Sequence, residues 1–92
     1  MSNIYIEKFG LDEGVLNEIS KNIKSGLNTL SIHNNSSTLV FLVDLALFTL
    51  MRRKIEKKEG EEKQELIELC ESRNKSYYFE DIKNSIILKM LD

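Results

Sequence analysis

Residues 39–51 read LVFLVDLALFTLM, and every position except Asp44 and Thr49 is apolar. The run is shorter than the roughly 18 to 20 apolar residues that a membrane-spanning helix requires, and a carboxylate at its centre would be costly in a bilayer. A buried central helix is the better interpretation, and we expect no membrane association. We predict that this helix is capped by Ser36 or Ser37, continues to about Lys58 and needs cover on nearly every side.

Two segments before this helix, 3–9 and 28–33, show the alternation of apolar residues that is typical of β-strands. Gly10 ends the first segment. An amphipathic helix between them is predicted to have Asp12 as its N-cap and to end near Gly26, in the position of a C′ glycine. Strand, helix and strand would form a right-handed crossover with two parallel strands. The rival interpretation continues the helix across the second segment.

A strand followed by a helix is similar to the opening of ribbon-helix-helix repressors, whose two chains pair their first strands. The similarity covers only the first third to half of the chain. The expected strand has Tyr5 and Glu7 where those repressors have basic residues, so we do not assign the chain to that family.

The densely charged second half predicts two more helices. Gly60 is the expected hinge, Glu61 or Glu62 begins one helix, and Ser76 or Tyr77 begins the other. The buried face of the last helix is predicted to consist of Phe79, Ile82, Ile86, Met90 and Leu91. We therefore predict a single domain, 1–92, with a helix-dominated α+β fold: a short N-terminal two-stranded sheet and about four helices. An all-α bundle is the alternative.

Composition excludes some classes of function. The chain has 13 Lys and Arg against 15 Asp and Glu, so it lacks the basic excess of proteins that coat duplex DNA. Its single cysteine allows no intramolecular disulfide, and its N-terminus shows no secretory signal, which together predict a cytoplasmic protein.

Few side chains could carry catalysis or hold a cofactor. His33 is the only histidine and Cys70 the only cysteine; they are far apart in the sequence and too few to form a zinc site. There is no phosphate-binding glycine loop, EF-hand or CxxC motif. We predict no enzyme, no catalytic residue, no metal and no cofactor. Asp44 is unusual, since a carboxylate in an apolar helix needs an ion-pair partner, a capping role or an exposed strip.

Two clusters are candidate binding sites for a partner. Arg52, Arg53 and Lys57 belong to the only basic cluster, while Tyr77 and Tyr78 begin an aromatic triplet of which at least one member should be exposed. We predict a small non-enzymatic protein-interaction module, an inhibitor or accessory factor of phage or mobile-element type that binds a host protein. The alternative is a nucleic-acid-binding regulator that uses the basic cluster.

A homodimer is also predicted, because so small a domain has difficulty enclosing a helix that is apolar on all sides. The open edges of the expected sheet also favour a dimer, because pairing across a two-fold axis would close one of them. In the alternative, the other helices wrap the central helix completely. The predicted dimer seam consists of Phe41, Leu42, Leu45 and Phe48.

Overall fold

The computed structural model describes residues 2–30 and 36–91, which form five α-helices and one short 3-10 helix. The helices are α1 (Ile4–Phe9), α2 (Glu13–Leu30), α3 (Ser36–Glu56), α4 (Gly60–Glu71) and α5 (Tyr77–Leu91), and the 3-10 turn, Arg73–Lys75, joins α4 to α5. Neither described range contains a strand, so the predicted α+β fold with a two-stranded sheet is wrong and the all-α alternative is correct. No described helix is long and apolar enough to cross a membrane.

The first predicted strand is the short helix α1. The Asn3 side chain accepts hydrogen bonds from the backbone N–H groups of Tyr5 and Ile6, and Gly10 ends the helix in the left-handed region with a φ of 65°. Tyr5 and Phe9 are both buried, and they would share one side of a strand as well as one side of a helix. The alternation could not decide between the two, whereas the Asn3 cap favours the helix. The similarity to ribbon-helix-helix repressors required a strand at residues 3–9 and therefore does not hold.

The second predicted strand is wrong over residues 28–30, where α2 continues, and its remainder, residues 31–33, lies outside the described residues. Gly26 does not end α2 but lies within it. Buried Leu27 extends the stripe that begins at Leu16, so burial favours the helix across the glycine. The predicted cap of α2 is confirmed: the Asp12 carboxylate accepts a 3.0 Å hydrogen bond from the backbone of Val15.

One cluster of buried side chains has members in all five helices and forms the core. The contribution of α3 recurs every fourth residue and lies against α4 and α5. These residues are Leu39, Val43, Leu47 and Met51. Helix α2 packs along α5, where the Ser20 hydroxyl lies 3.5 Å from the carbonyl oxygen of Ile86 and Lys89 pairs with Glu13. One side of α3 is thus covered thoroughly and the opposite side is not.

Two helix ends and one core residue differ from the prediction. Helix α3 ends at Glu56 rather than Lys58, and α4 begins at Gly60, whose φ is 65°. Leu91 is 64% exposed, because it lies about 100° around the helix from buried Met90. Lys83 is buried instead, with its ammonium 5.5 Å from the centroid of the Phe79 ring and 3.3 Å from Glu80.

Two glycine substitutions test where α2 ends. Gly26→Ala is expected to raise the free energy of unfolding by about 0.5–1 kcal/mol, because alanine is the better helix former. A Cβ at this position meets no atom within 4 Å. Gly10→Ala is the matched control and should lower stability by about 1–2 kcal/mol, since its φ of +65° is unfavourable for alanine. Urea unfolding followed by circular dichroism measures both. A Gly26→Ala variant that loses stability would indicate a helix end at this glycine.

Candidate interaction surfaces

Tyr5 fixes the junction of three helices. Its hydroxyl donates a 2.9 Å hydrogen bond to the carbonyl oxygen of Leu69 in α4, and its ring lies 5.4 Å from that of Phe79 in α5. The Asn3 amide donates a 2.8 Å hydrogen bond to the carbonyl oxygen of Tyr78. The start of α1 is therefore attached to the end of α4 and to the first turn of α5.

An exposed patch of two tyrosines and an isoleucine lies at this junction. It consists of Ile4, Tyr77 and Tyr78 and is here called the tyrosine surface. Tyr77 is 88% exposed, Tyr78 41% and Ile4 36%. Phe79 is fully buried, as expected when consecutive aromatic residues cannot share one helix face. A groove of about 590 Å³ runs past the surface and is bordered by polar and charged side chains such as Lys75. An apolar body with a polar tip on a fixed backbone is typical of interface tyrosines.

A second exposed surface, the α3 outer face, consists of Phe41, Leu45, Phe48 and Arg52. These residues lie on the side of α3 opposite its buried stripe. Phe41 is 62% exposed and Leu45 48%, while Phe48 is half-buried and contacts the core. The alternative in which the other helices wrap α3 completely is therefore wrong.

Leu42, the remaining residue of the predicted seam, does not lie on the α3 outer face. It lies in a groove of about 500 Å³ between α2 and α3, whose apolar lining includes Ile23, Leu27 and Ala46. The groove borders the α3 outer face, because Leu45 lines it as well. The sequence-predicted seam therefore divides into a groove side and an outer side.

Asp44 is half-buried, and an arginine compensates its charge. Its Oδ1 lies 3.6 Å from Nε of Arg73, and neither of these two atoms has a hydrogen-bond partner. The same guanidinium donates a 2.9 Å hydrogen bond from Nη1 to the Cys70 carbonyl oxygen and lies 4.4 Å from the centroid of the Phe48 ring. The arrangement places Arg73 between α3 and α4 and gives Asp44 a structural role.

The geometry does not favour Cys70 as a nucleophile. Burial raises the pKa of its thiol, Arg73 and Arg52 lower that pKa in part, and Glu71 adds to the rise. Cys70 is buried. His33 lies outside the described residues. Within residues 2–30 and 36–91, no three His, Cys, Asp or Glu side chains lie close enough together to hold a metal ion.

The basic cluster is dispersed around the end of α3. Helical geometry turns Arg53 about 100° from Arg52, and both line one groove along α3, whereas Lys57 lies in the turn beyond the end of the helix. The Lys54 ammonium lies close to Gly10 at the end of α1, and Lys58 pairs with Glu62 at 3.1 Å. The structure therefore brings Arg52 and Arg53 beside one groove and leaves Lys57 in the turn after α3.

The tyrosines and the arginines line different grooves. Tyr77 and Tyr78 share theirs with α1 and the end of α4, whereas Arg52 and Arg53 line grooves along α3. Ile4 is absent from the sequence-predicted site, because the alternation over residues 3–9 predicts a strand there. The signal that could have found it is Asn3, a favoured N-cap placed directly before the segment.

Comparison with family models, curated proteins and solved structures finds no match for this chain.

The arginine between α3 and α4 supplies a stability test. Arg73→Ala should lower the free energy of unfolding by about 2 kcal/mol, because it removes a hydrogen bond, a cation–π contact and the partner of Asp44. Arg53→Ala is the matched control and should change stability by less than about 0.5 kcal/mol, since Arg53 is exposed. Thermal and urea unfolding measure both variants. Equal effects at the two positions would contradict the role given to Arg73.

Proposed function

We propose that this protein is a small interaction module without catalytic activity of its own, and that it binds another protein through the tyrosine surface. The observation that carries the proposal is the 88% exposure of Tyr77 beside Tyr78 and Ile4. Tyrosine is enriched among the residues that dominate binding energy in protein interfaces. Exposed apolar side chains of this kind do not stabilise the fold of the isolated chain, since it is the burial of apolar area that stabilises a fold.

The support for a specific contact is the rigidity of the backbone beneath these side chains. The hydrogen bond from Asn3 to the carbonyl of Tyr78 and the bond from Tyr5 to Leu69 hold the helix ends together. A partner therefore meets side chains whose backbone positions are already set, and less conformational entropy is lost on binding.

The charges around the tyrosine surface favour a protein over a nucleic acid. Glu80 lies in the first turn of α5 and Asp81 directly after it, while Lys75 precedes Tyr77. The nearby Arg73 and Lys83 are paired with Asp44 and Glu80. Phosphates would thus meet about as many carboxylates as free cations, whereas a mixed-charge rim is normal for protein interfaces.

The finer proposal is that the protein is an inhibitor or accessory factor of phage or mobile-element type that binds a host protein in the cytoplasm. It rests on the exposed apolar side chains together with the lack of catalytic motifs in the sequence, and the composition, rich in Ile, Lys and Asn, suits phages, plasmids and firmicutes alike.

The binding experiment compares three tagged proteins in nuclease-treated lysate: the wild type, Tyr77→Ala and Leu88→Ala. Leu88 is the matched control, because it is 65% exposed on the same helix but away from the tyrosine surface. Tyr77→Ala is expected to reduce retention of the partner about tenfold or more, whereas Leu88→Ala should retain it. Quantitative mass spectrometry measures retention. Equal retention by all three proteins would overturn the proposal.

Nucleic-acid binding remains the second candidate because Arg52 and Arg53 are exposed and form no ion pair with residues 2–30 or 36–91. A gel-shift titration in low and moderate salt separates the candidates. We expect no retarded complex at moderate salt, since only Arg52 and Arg53 share a groove and the chain has no basic excess. A complex that weakens steeply with salt, and that the double variant Arg52→Ser/Arg53→Ser loses, would favour the regulator.

A further inference from the structure

The spacing of the α3 outer face is that of a helix-pairing seam. Phe41, Leu45, Phe48 and Arg52 follow one another at intervals of four, three and four residues. Alternation of threes and fours is the pattern with which one helix packs against another in a coiled coil. The seam covers three helical turns, about 16–17 Å from its first to its last residue. Its natural occupant is therefore another helix of similar length.

The two ends of the seam differ in a way that suits a second copy of the same chain. An exposed aromatic ring, Phe41, lies near the start of α3, and an exposed guanidinium, Arg52, lies near its end. In its own chain, Arg52 already lies 5.8 Å from the centroid of the Phe48 ring, so it is placed to contact aromatic faces.

We propose that two copies of this chain pair through their α3 outer faces, with the two α3 helices antiparallel across a two-fold axis. The axis passes between Leu45 and Phe48. Leu45 then packs against Phe48 of the partner subunit, and Phe41 meets Arg52 of the partner subunit. Each contact occurs twice, as an isologous interface requires.

The charges favour the antiparallel direction. A parallel pair would place Arg52 against Arg52 of the partner subunit, which brings two like charges together. In the antiparallel pair, Glu56 of the partner subunit reaches the first turn of α3. That turn contains no acidic residue, and the positive end of the helix dipole attracts the carboxylate there.

The interface between the two α3 outer faces is small, so we expect a weak dimer. Three helical turns bury less than the area of a standard stable complex, so the dimer should dissociate in the micromolar range. Sedimentation across that range should therefore show a mass that rises toward twice the chain mass as concentration increases.

The main test compares Leu45→Glu with Leu88→Glu by sedimentation. Leu45 is 48% exposed, so glutamate is tolerated in the monomer but is unfavourable in the seam, whereas Leu88 is 65% exposed on α5. Leu45→Glu should be monomeric at every concentration, with unchanged circular dichroism, while Leu88→Glu should dimerise like the wild type. Phe48→Glu should also abolish the dimer, but Phe48 contacts the core and Arg73, so its result counts only if circular dichroism is unchanged.

The direction of pairing is tested with single cysteines. Phe41→Cys chains mixed with Arg52→Cys chains should form a mixed disulfide on oxidation, because the antiparallel register brings these positions together. Neither variant alone should cross-link, since its own cysteines would lie about 16 Å apart along the seam. The wild type, with buried Cys70 as its only thiol, is the control.

Several outcomes would overturn the proposal. A wild type that stays monomeric at high concentration would contradict the dimer. This holds even if a protein from the lysate binds through Leu45, because the α3 outer face would then bind that protein and not a second copy. A Leu45→Glu variant that still dimerises would show that the dimer does not form through the α3 outer face. A disulfide between two Phe41→Cys chains would contradict the antiparallel direction. The tyrosine surface is tested independently: monomeric Leu45→Glu should still retain the partner that Tyr77→Ala loses.

Discussion

A helix that is apolar on every side must be covered by whatever the rest of a 92-residue chain can supply, and this constraint shapes the molecule. Helices α4 and α5 cover one side of α3 completely, as the fully buried Val43, Leu47 and Met51 show. Helix α2 lies mainly along α5 and leaves a groove beside α3. The remaining side of α3 stays exposed, and apolar side chains concentrated in one place are typical of interaction sites.

The short helix α1 connects this core to the tyrosine surface. Six residues give little stability as an isolated helix, so α1 depends on tertiary contacts. Buried Tyr5 and Phe9 supply apolar contacts, and the Tyr5 hydroxyl and the Asn3 amide bond to α4 and α5. Those same bonds hold the first turn of α5 in place and so define where Tyr77 and Tyr78 lie. The residues that pack α1 against the core thus also position the tyrosine surface.

The polar side chains within the apolar regions show how the fold tolerates charge. Arg73 compensates Asp44, contacts the Phe48 ring and bonds to a backbone carbonyl at the end of α4. Lys83 places its stem in the core while its ammonium stays beside Glu80. Each cation is held by more than one kind of contact. A carboxylate and an ammonium can therefore lie in or beside the core with their charges compensated.

The sequence by itself determined the central helix, the Asp12 cap, the start of α5 and the burial of Phe79, because long apolar runs, capping residues and helical spacing act over short distances. It also indicated that some of the aromatic triplet would be exposed. Over residues 3–9 the alternation fits both a strand and a helix, and the Asn3 cap was the local signal for the helix. Over residues 28–30 only the tertiary structure decided, since a short alternation fits both and the burial of Leu27 favours the helix across Gly26. Which side of α3 stays uncovered was likewise decided by packing, because every side of that helix is apolar in the sequence.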